Sequence, residues 1–221
     1  MTDKRLKLGI FIFPIIFLSL ACVVYFINPL FYFGLFGVLE SGLFEWVQFA
    51  SYLLASILGF KTFLLLKKGS LRFQSYGIFV FSLLCAFIAL EEISYGQHIF
   101  HWQTPDYFSS INLQGETNLH NLSTIQGNKL QEIAFVLVGA YGSFAWILRR
   151  NIMPLSFADF VFPEWFLTLY FLPVTVFYFQ KIYLFRWGNN HQELFETILS
   201  FGFLVVSFVN YSKACKQRRL L

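Results

Sequence analysis

The feature that most constrains this chain is a series of apolar segments, each about 20 residues long. A helix of that length crosses the hydrocarbon core of a membrane, which is about 30 Å thick. The apolar residues are continuous and do not alternate with period two, which excludes a transmembrane β-barrel. With 57% hydrophobic and 13% charged residues, the chain is also too apolar for a soluble domain. The sequence therefore predicts an all-α, multi-pass transmembrane bundle that forms a single domain in the lipid bilayer.

Six segments have the required length, and local signals set their ends. The first contains LSLAC, which is similar to a lipoprotein cleavage box, but it stays apolar through Phe26, and this favours a retained helix. Pro173 is expected to bend the fifth helix. Thr104-Pro105-Asp106 predicts the start of a short surface helix over 106–111, with Thr104 as its N-cap. The predicted spans are about 8–26, 43–66, 72–101, 130–148, 164–184 and 192–212, with an external loop over 103–128.

Basic residues lie almost entirely at one end of these predicted helices. Of the 16 lysines and arginines, only Lys129, Lys181 and Arg186 fall at the other end. Because basic residues concentrate on the cytoplasmic side of membrane proteins, both termini are predicted to be cytoplasmic and the 91–121 segment external. Lipid headgroups account for the net charge of +4. No basic stripe with interleaved aromatic residues indicates a nucleic-acid partner.

Acidic residues and histidines gather at the opposite, external end. Glu91 and Glu92 follow Arg72 by a helical length of roughly 27 Å, which places them where hydrocarbon meets the headgroups. They also lie at a helix C-terminus, where the helix dipole disfavours a negative charge, so they need a cation, a metal or a shared proton. Other carboxylates of similar depth either join them in a ring at the mouth of the bundle or cap helix N-termini. These are Glu45, Glu132, Glu193 and Glu196.

Two sets of side chains in this region have spacings suited to a divalent metal such as zinc. On a helix that continues to 101, one stripe would hold Glu91, Ser94 or Tyr95, His98 and His101. In the loop, Glu116 and His120 are four residues apart, and carboxylate with imidazole suits zinc, iron or manganese. A metal-free polar site and a purely structural pairing of loop with helix are the alternatives.

The segments EEISYGQ and LQGETNLHNL resemble a motif pair of an uncharacterised family of bacterial multi-pass membrane proteins. The resemblance covers about residues 91–122 and implies a bacterial plasma-membrane location with an external, periplasmic site, but no activity. In that family a basic residue often replaces His98 and glycine replaces His101. This makes the His98–His101 pair a departure from the family pattern and a second-rank metal site.

The leading hypothesis is an integral membrane enzyme, a hydrolase or transferase, acting on a lipid or lipid-linked substrate. A polar cluster beside an apolar bundle suits an amphiphile, whose two parts need these two environments. Glu91, Glu92 and His120 are the candidate catalytic residues, and Glu116 and His120 the first candidate metal ligands. The candidate positioning residues are Ser94, Gln97, Gln114, Asn118 and Asn121.

Two non-enzymatic hypotheses stand beside it. In the first, the 103–128 loop docks a partner or closes over the bundle, and Glu91 and Glu92 accept hydrogen bonds from it, as in a binding or assembly subunit. In the second, the carboxylate ring selects cations for a channel, although the helices lack polar residues at greater depth. A bis-histidine haem is excluded because no histidine lies at mid-bilayer depth.

Overall fold

The computed structural model describes residues 4–36, 42–149, 159–183 and 191–219. Six of its helices are long and apolar enough to cross a membrane, and the described residues form no extended strand, so the chain is an all-α integral membrane protein. The helices are α1 (Lys4–Ile27), α2 (Pro29–Phe36), α3 (Leu43–Leu66), α4 (Arg72–Glu92), α5 (Gln97–Phe100), α6 (Asp106–Ile111), α7 (Ser123–Gly127), α8 (Leu130–Arg149), α9 (Thr168–Tyr183) and α10 (Gln192–Arg219). We call the end of the bundle at which α4 ends and α8 begins the loop end.

The spanning helices pack in an arc. α3 packs against both α4 and α10, and α9 packs against α8 and α10. α1 lies outside this arc, on α9 and on the single-turn helix at Trp165–Leu167. α4 and α8 lie at the two ends of the arc, since each packs extensively against only one other spanning helix in the described part of the chain. The 93–129 segment connects α4 to α8 and therefore bridges the arc at the loop end.

Small residues let neighbouring helices approach closely. Gly59 of α3 faces Ser82 of α4, whose hydroxyl donates to the Ser56 carbonyl oxygen at 2.7 Å. Gly142 of α8 faces the Phe171 ring of α9. Close approach at glycine and serine is typical of helix pairs in membranes, where lipid surrounds the helices and packing itself drives association. These close contacts therefore fix the arrangement of the helices that reach the loop end.

The prediction of one continuous helix over 72–101 was wrong, because α4 ends at Glu92. Ser94, Tyr95 and Gly96 adopt φ angles of 46°, 55° and 93°. A left-handed backbone cannot continue a right-handed helix. The predicted stripe from Glu91 to His98 and His101 needs that continuous helix and is lost with it.

Other helix ends differ in detail. The fifth spanning helix becomes a regular α-helix only at Thr168, after a single-turn helix, and residues 184–190, including Leu184 and Arg186, lie outside the described residues. α10 continues into the basic tail, to Arg219. The short helix over Asp106–Ile111 is confirmed, but Pro105 and not Thr104 is its N-cap. Thr104 instead accepts a hydrogen bond from Gln97 Nε2 at 2.8 Å.

Candidate functional site

Glu91 ties the 93–129 segment to the end of α4. Its Oε2 accepts from the backbone N–H groups of Leu119, at 2.8 Å, and His120, at 3.0 Å. The His120 ring Nδ1 lies 3.3 Å from the same oxygen. Two successive N–H groups directed at one carboxylate form a small anion-binding concavity. Glu91, which is only 5% exposed, therefore obtains the partner that its place at a helix C-terminus requires.

A second set of bonds centres on Glu116 and Asn118, both buried. Glu116 Oε2 accepts from Ser94 Oγ at 2.6 Å and from Asn118 Nδ2 at 2.7 Å. Asn118 Oδ1 accepts from Asn112 Nδ2 at 2.9 Å, and Asn112 Oδ1 accepts from the backbone of Gln114 and Glu116. The left-handed backbone at Ser94 costs about 1–2 kcal/mol. The Ser94–Glu116 bond helps to offset that cost.

Gln97 and Asn121 close the remaining edges of the segment. Gln97 Oε1 accepts from the Thr117 backbone N–H at 2.9 Å, and its Nε2 donates to Thr104. Asn121 Nδ2 donates to Gln114 Oε1, and the Asn121 carbonyl oxygen accepts from the Leu113 backbone N–H at 2.9 Å. All five predicted positioning residues thus lie in one hydrogen-bonded network. Their visible contacts position the backbone of the loop.

The Tyr95 hydroxyl also interacts with the Glu91 carboxylate. Burial is the larger cause that raises the pKa of Tyr95 above its ordinary value, and the neighbouring negative charge of Glu91 raises it further. Tyr95 is therefore a neutral hydrogen-bonding group over the whole physiological pH range. It adds a side-chain contact to the same carboxylate that the loop backbone uses.

A carboxylate cluster lies beside this network and comprises Glu45, Glu92, Glu193 and Glu196. Glu92 of α4 interacts electrostatically with the other three, which come from α3 and α10. Among the described residues the structure gives the Glu92 carboxylate no hydrogen bond, and Glu92 also interacts electrostatically with Tyr52 of α3. Carboxylates from three helices therefore interact electrostatically at the loop end, whereas Glu132 of α8, which was expected at the same depth, pairs with Lys181 at 3.5 Å.

Neutral polar side chains hold the two carboxylates of α10. Gln48 Nε2 donates to Glu193 Oε2 at 2.8 Å, and the Tyr178 hydroxyl donates to Glu196 Oε1 at 2.6 Å. Gln48 is fully buried, and its Oε1 has no hydrogen-bond partner among the described residues. The cation that interacts electrostatically with Glu196 is Lys181 of α9, which also donates to Gln192 Oε1 at 3.0 Å.

His120 links the loop network to the carboxylate cluster. Its ring lies beside Glu91 and interacts electrostatically with Glu196 of α10. About a third of the His120 side chain is exposed. Of the predicted site residues, Glu92 and His120 are thus the two at the cluster, while Glu91 serves the loop backbone.

The predicted metal ligands do not gather around one point. Glu116 bonds Ser94 and Asn118, whereas His120 bonds Glu91. His101 ends α5 with a left-handed backbone, and the side chain of His98 lies outside what the structure describes. In the described ranges no three histidine, cysteine or acidic side chains are arranged to hold a metal ion. The expectation of a zinc site therefore gains no support.

Sequence reasoning missed several members of the two networks. Asn112 was overlooked because it precedes the LQGE turn by one residue and carries no charge, although an asparagine before a turn is a recognised capping signal. Gln48 of α3 was missed as well, since it is a single uncharged amide in a largely apolar helix. Tyr178 lay within an aromatic run and gave no separate signal.

Comparisons with known protein families, with curated proteins and with solved structures gave no match for this chain. The candidate site is therefore defined by its own geometry, as a carboxylate cluster at the loop end of a membrane bundle, closed by a hydrogen-bonded loop that carries His120.

Proposed function

We propose that this protein is a membrane enzyme that acts on a lipid or lipid-linked substrate at the loop end, with Glu92 and His120 as its acid–base pair. The observation that carries the proposal is the position of Glu92. It is the one carboxylate of the EEISYGQ segment that faces the cluster and not the loop backbone. An imidazole and a carboxylate at one site are the groups most often used to move protons in catalysis.

The roles of the other motif residues follow from their contacts. The loop, with the ring of His120 next to Glu91, is held by Glu91, Ser94, Gln97, Glu116 and Asn118. Gln114 and Asn121 are hydrogen-bonded to each other through their side-chain amides. We also propose that the chain is related to the uncharacterised bacterial family whose motif pair it resembles. The proposed location is a bacterial plasma membrane with the loop end outside. The basic residues at the other end of the helices support this orientation.

The surroundings suit an amphiphilic substrate. Tyr107 and Leu113, on the loop, have exposed fractions of 72% and 63% and lie at the level of the loop end. The carboxylate cluster lies at the loop-end termini of α3, α4 and α10. A polar head would meet the carboxylates while its hydrocarbon part stays in the bilayer.

Glu92→Gln tests the proposal, because it keeps the size of the side chain and removes its ability to carry a proton as a base. Loss of one general acid–base group lowers a catalytic rate by about 10²–10⁴-fold. We expect cells that make Glu92→Gln protein at wild-type levels to show the same membrane-lipid composition as cells that lack the gene. Mass spectrometry of lipid extracts measures this. Glu132→Gln is the matched control, since Glu132 contacts Lys181 at 3.5 Å and lies outside the carboxylate cluster.

Two results would count against the proposal. One is a wild-type lipid composition in cells with the Glu92→Gln protein. The other is an unchanged lipid composition in cells that lack the gene altogether.

A binding or assembly subunit is the second candidate function, and the loop network favours it. Nearly every polar side chain of the two motifs bonds the loop, so their pattern is also explained by a loop shaped to contact a partner. In that case Glu92→Gln would leave the protein fully functional, while variants that loosen the loop would abolish function. Comparing Glu92→Gln with Glu91→Gln in the same cells separates the two functions.

A further inference from the structure

A groove runs along the loop-end half of the bundle, and no residue of the 93–129 segment is part of its described lining. It lies between α1, α2, α9 and α10 and has a volume of about 740 Å³, within the usual range for sites that bind small molecules. On α1 its lining extends from Leu18 to Phe26, and on α9 from Leu172 to Gln180. Each stretch covers roughly 12 Å of helix, a little under half of the hydrocarbon core. The groove therefore has about the depth of one lipid leaflet.

The lining is apolar except at the loop end. Phe26 and Val176 line the groove and are 77% and 46% exposed, so the groove is open on the side that faces the bilayer. Polar atoms gather near the loop-end termini of α9 and α10, where the Tyr32 hydroxyl lies 2.8 Å from His191 Nδ1. Gln180 lies at the same level on α9.

Both members of the Tyr32–His191 pair are uncharged near neutral pH. Burial is the main cause that raises the pKa of Tyr32 to about 12, and burial also lowers the pKa of His191. The groove thus ends in neutral hydrogen-bonding groups. Such groups match the ester and hydroxyl groups that lie between the hydrocarbon chains and the headgroups of a glycerolipid.

We propose that this groove is a binding site for one hydrocarbon chain of a bilayer glycerolipid, whose ester group lies at the Tyr32–His191 pair. Three features agree on this occupant: a leaflet-deep apolar wall, an opening toward lipid, and neutral polar groups at the depth of the ester linkage. A charged ligand has no counter-ion in the described lining. The site does not depend on the proposed chemistry, because no residue of the carboxylate cluster lines it.

Photo-cross-linking of the full chain tests the proposal. The protein is reconstituted in phosphatidylcholine vesicles that contain a small fraction of phosphatidylcholine with a diazirine on one acyl chain. After irradiation, mass spectrometry of peptides locates the labelled residues. We expect several-fold more label on 18–26 and 172–180 than on the exposed face of α4 around Val80, which is 64% exposed and is not part of this groove.

Val176→Trp fills the groove and is expected to remove most of that label while leaving the label on α4 unchanged. Val80→Trp places the same bulk on open lipid-facing surface and should leave groove labelling intact. Equal labelling of the groove and the α4 face in the wild-type protein would overturn the proposal, whether or not the Val176→Trp protein folds. Less label in the groove than on α4 would overturn it too, since that result means that protein and not lipid fills the groove.

Discussion

Glu91→Ala is expected to lower the free energy of unfolding by about 3–6 kcal/mol, the combined worth of two hydrogen bonds to a charged group. The substitution leaves the backbone N–H groups of Leu119 and His120 without their acceptor. Each hydrogen bond to a charged group is worth about 1.5–3 kcal/mol. Glu91→Gln keeps one carbonyl oxygen as an acceptor and should cost roughly half as much. Thermal unfolding of the purified protein in detergent measures both losses.

Hydrogen exchange locates the effect within the chain. In Glu91→Ala we expect the amides of Leu119 and His120 to exchange about a hundredfold faster than in the wild type, because the loop opens separately from the spanning helices. Amides in the middle of α3 and α10 should change little. Glu132→Ala is the control, since its ion pair with Lys181 connects α8 to α9 and does not involve the loop. Unchanged exchange at Leu119 and His120 would show that Glu91 does not hold the loop.

The architecture of the bundle could be predicted because one physical requirement governs it. A helix satisfies its own backbone hydrogen bonds inside the membrane, and it needs about 20 apolar residues to cross the hydrocarbon core. Such segments are visible in the sequence. The end of α4 could not be predicted in the same way. Residues 93–101 carry no proline, and the left-handed turn that ends α4 is held by a bond from Ser94 to Glu116, more than twenty residues further along. Such a long-range contact has no local sequence signal.

The sequence indicated which residues belong to the candidate site, but not what each residue does there. Most of the residues singled out between 91 and 121 share one hydrogen-bonded network, yet acidic and amide side chains look the same whether they hold a loop or contact a substrate. Only the contacts separate Glu91, which bonds backbone N–H groups, from Glu92, which faces carboxylates. Gln48 was missed because one amide in an apolar helix has no distinctive spacing. Its partner, Glu193, lies 145 residues away.

Gly142→Ala is the second substitution with a large expected effect, because α8 and α9 approach each other at this glycine. A Cβ atom at position 142 would lie 2.2 Å from Cγ of Phe171 and 2.3 Å from Cδ1. Phe171 is 4% exposed and is confined on its other side by Gly202 and Phe203, so its ring has little room to move. We expect the free energy of unfolding to fall by about 2–3 kcal/mol, the usual cost of overpacking a core. The midpoint of thermal unfolding in detergent reports the loss.

Gly77→Ala supplies the matched control, since a Cβ on this α4 glycine would meet no atom within 4 Å. Alanine has the higher helix propensity by about 1 kcal/mol, so Gly77→Ala is expected to be neutral or slightly stabilising. The same propensity gain acts at position 142, and a net loss there must come from the contact with Phe171. Equal unfolding midpoints for the two variants would mean that α8 and α9 do not pack at Gly142. Because α8 begins where the 93–129 segment ends, a displaced α8 would also loosen the loop that positions His120.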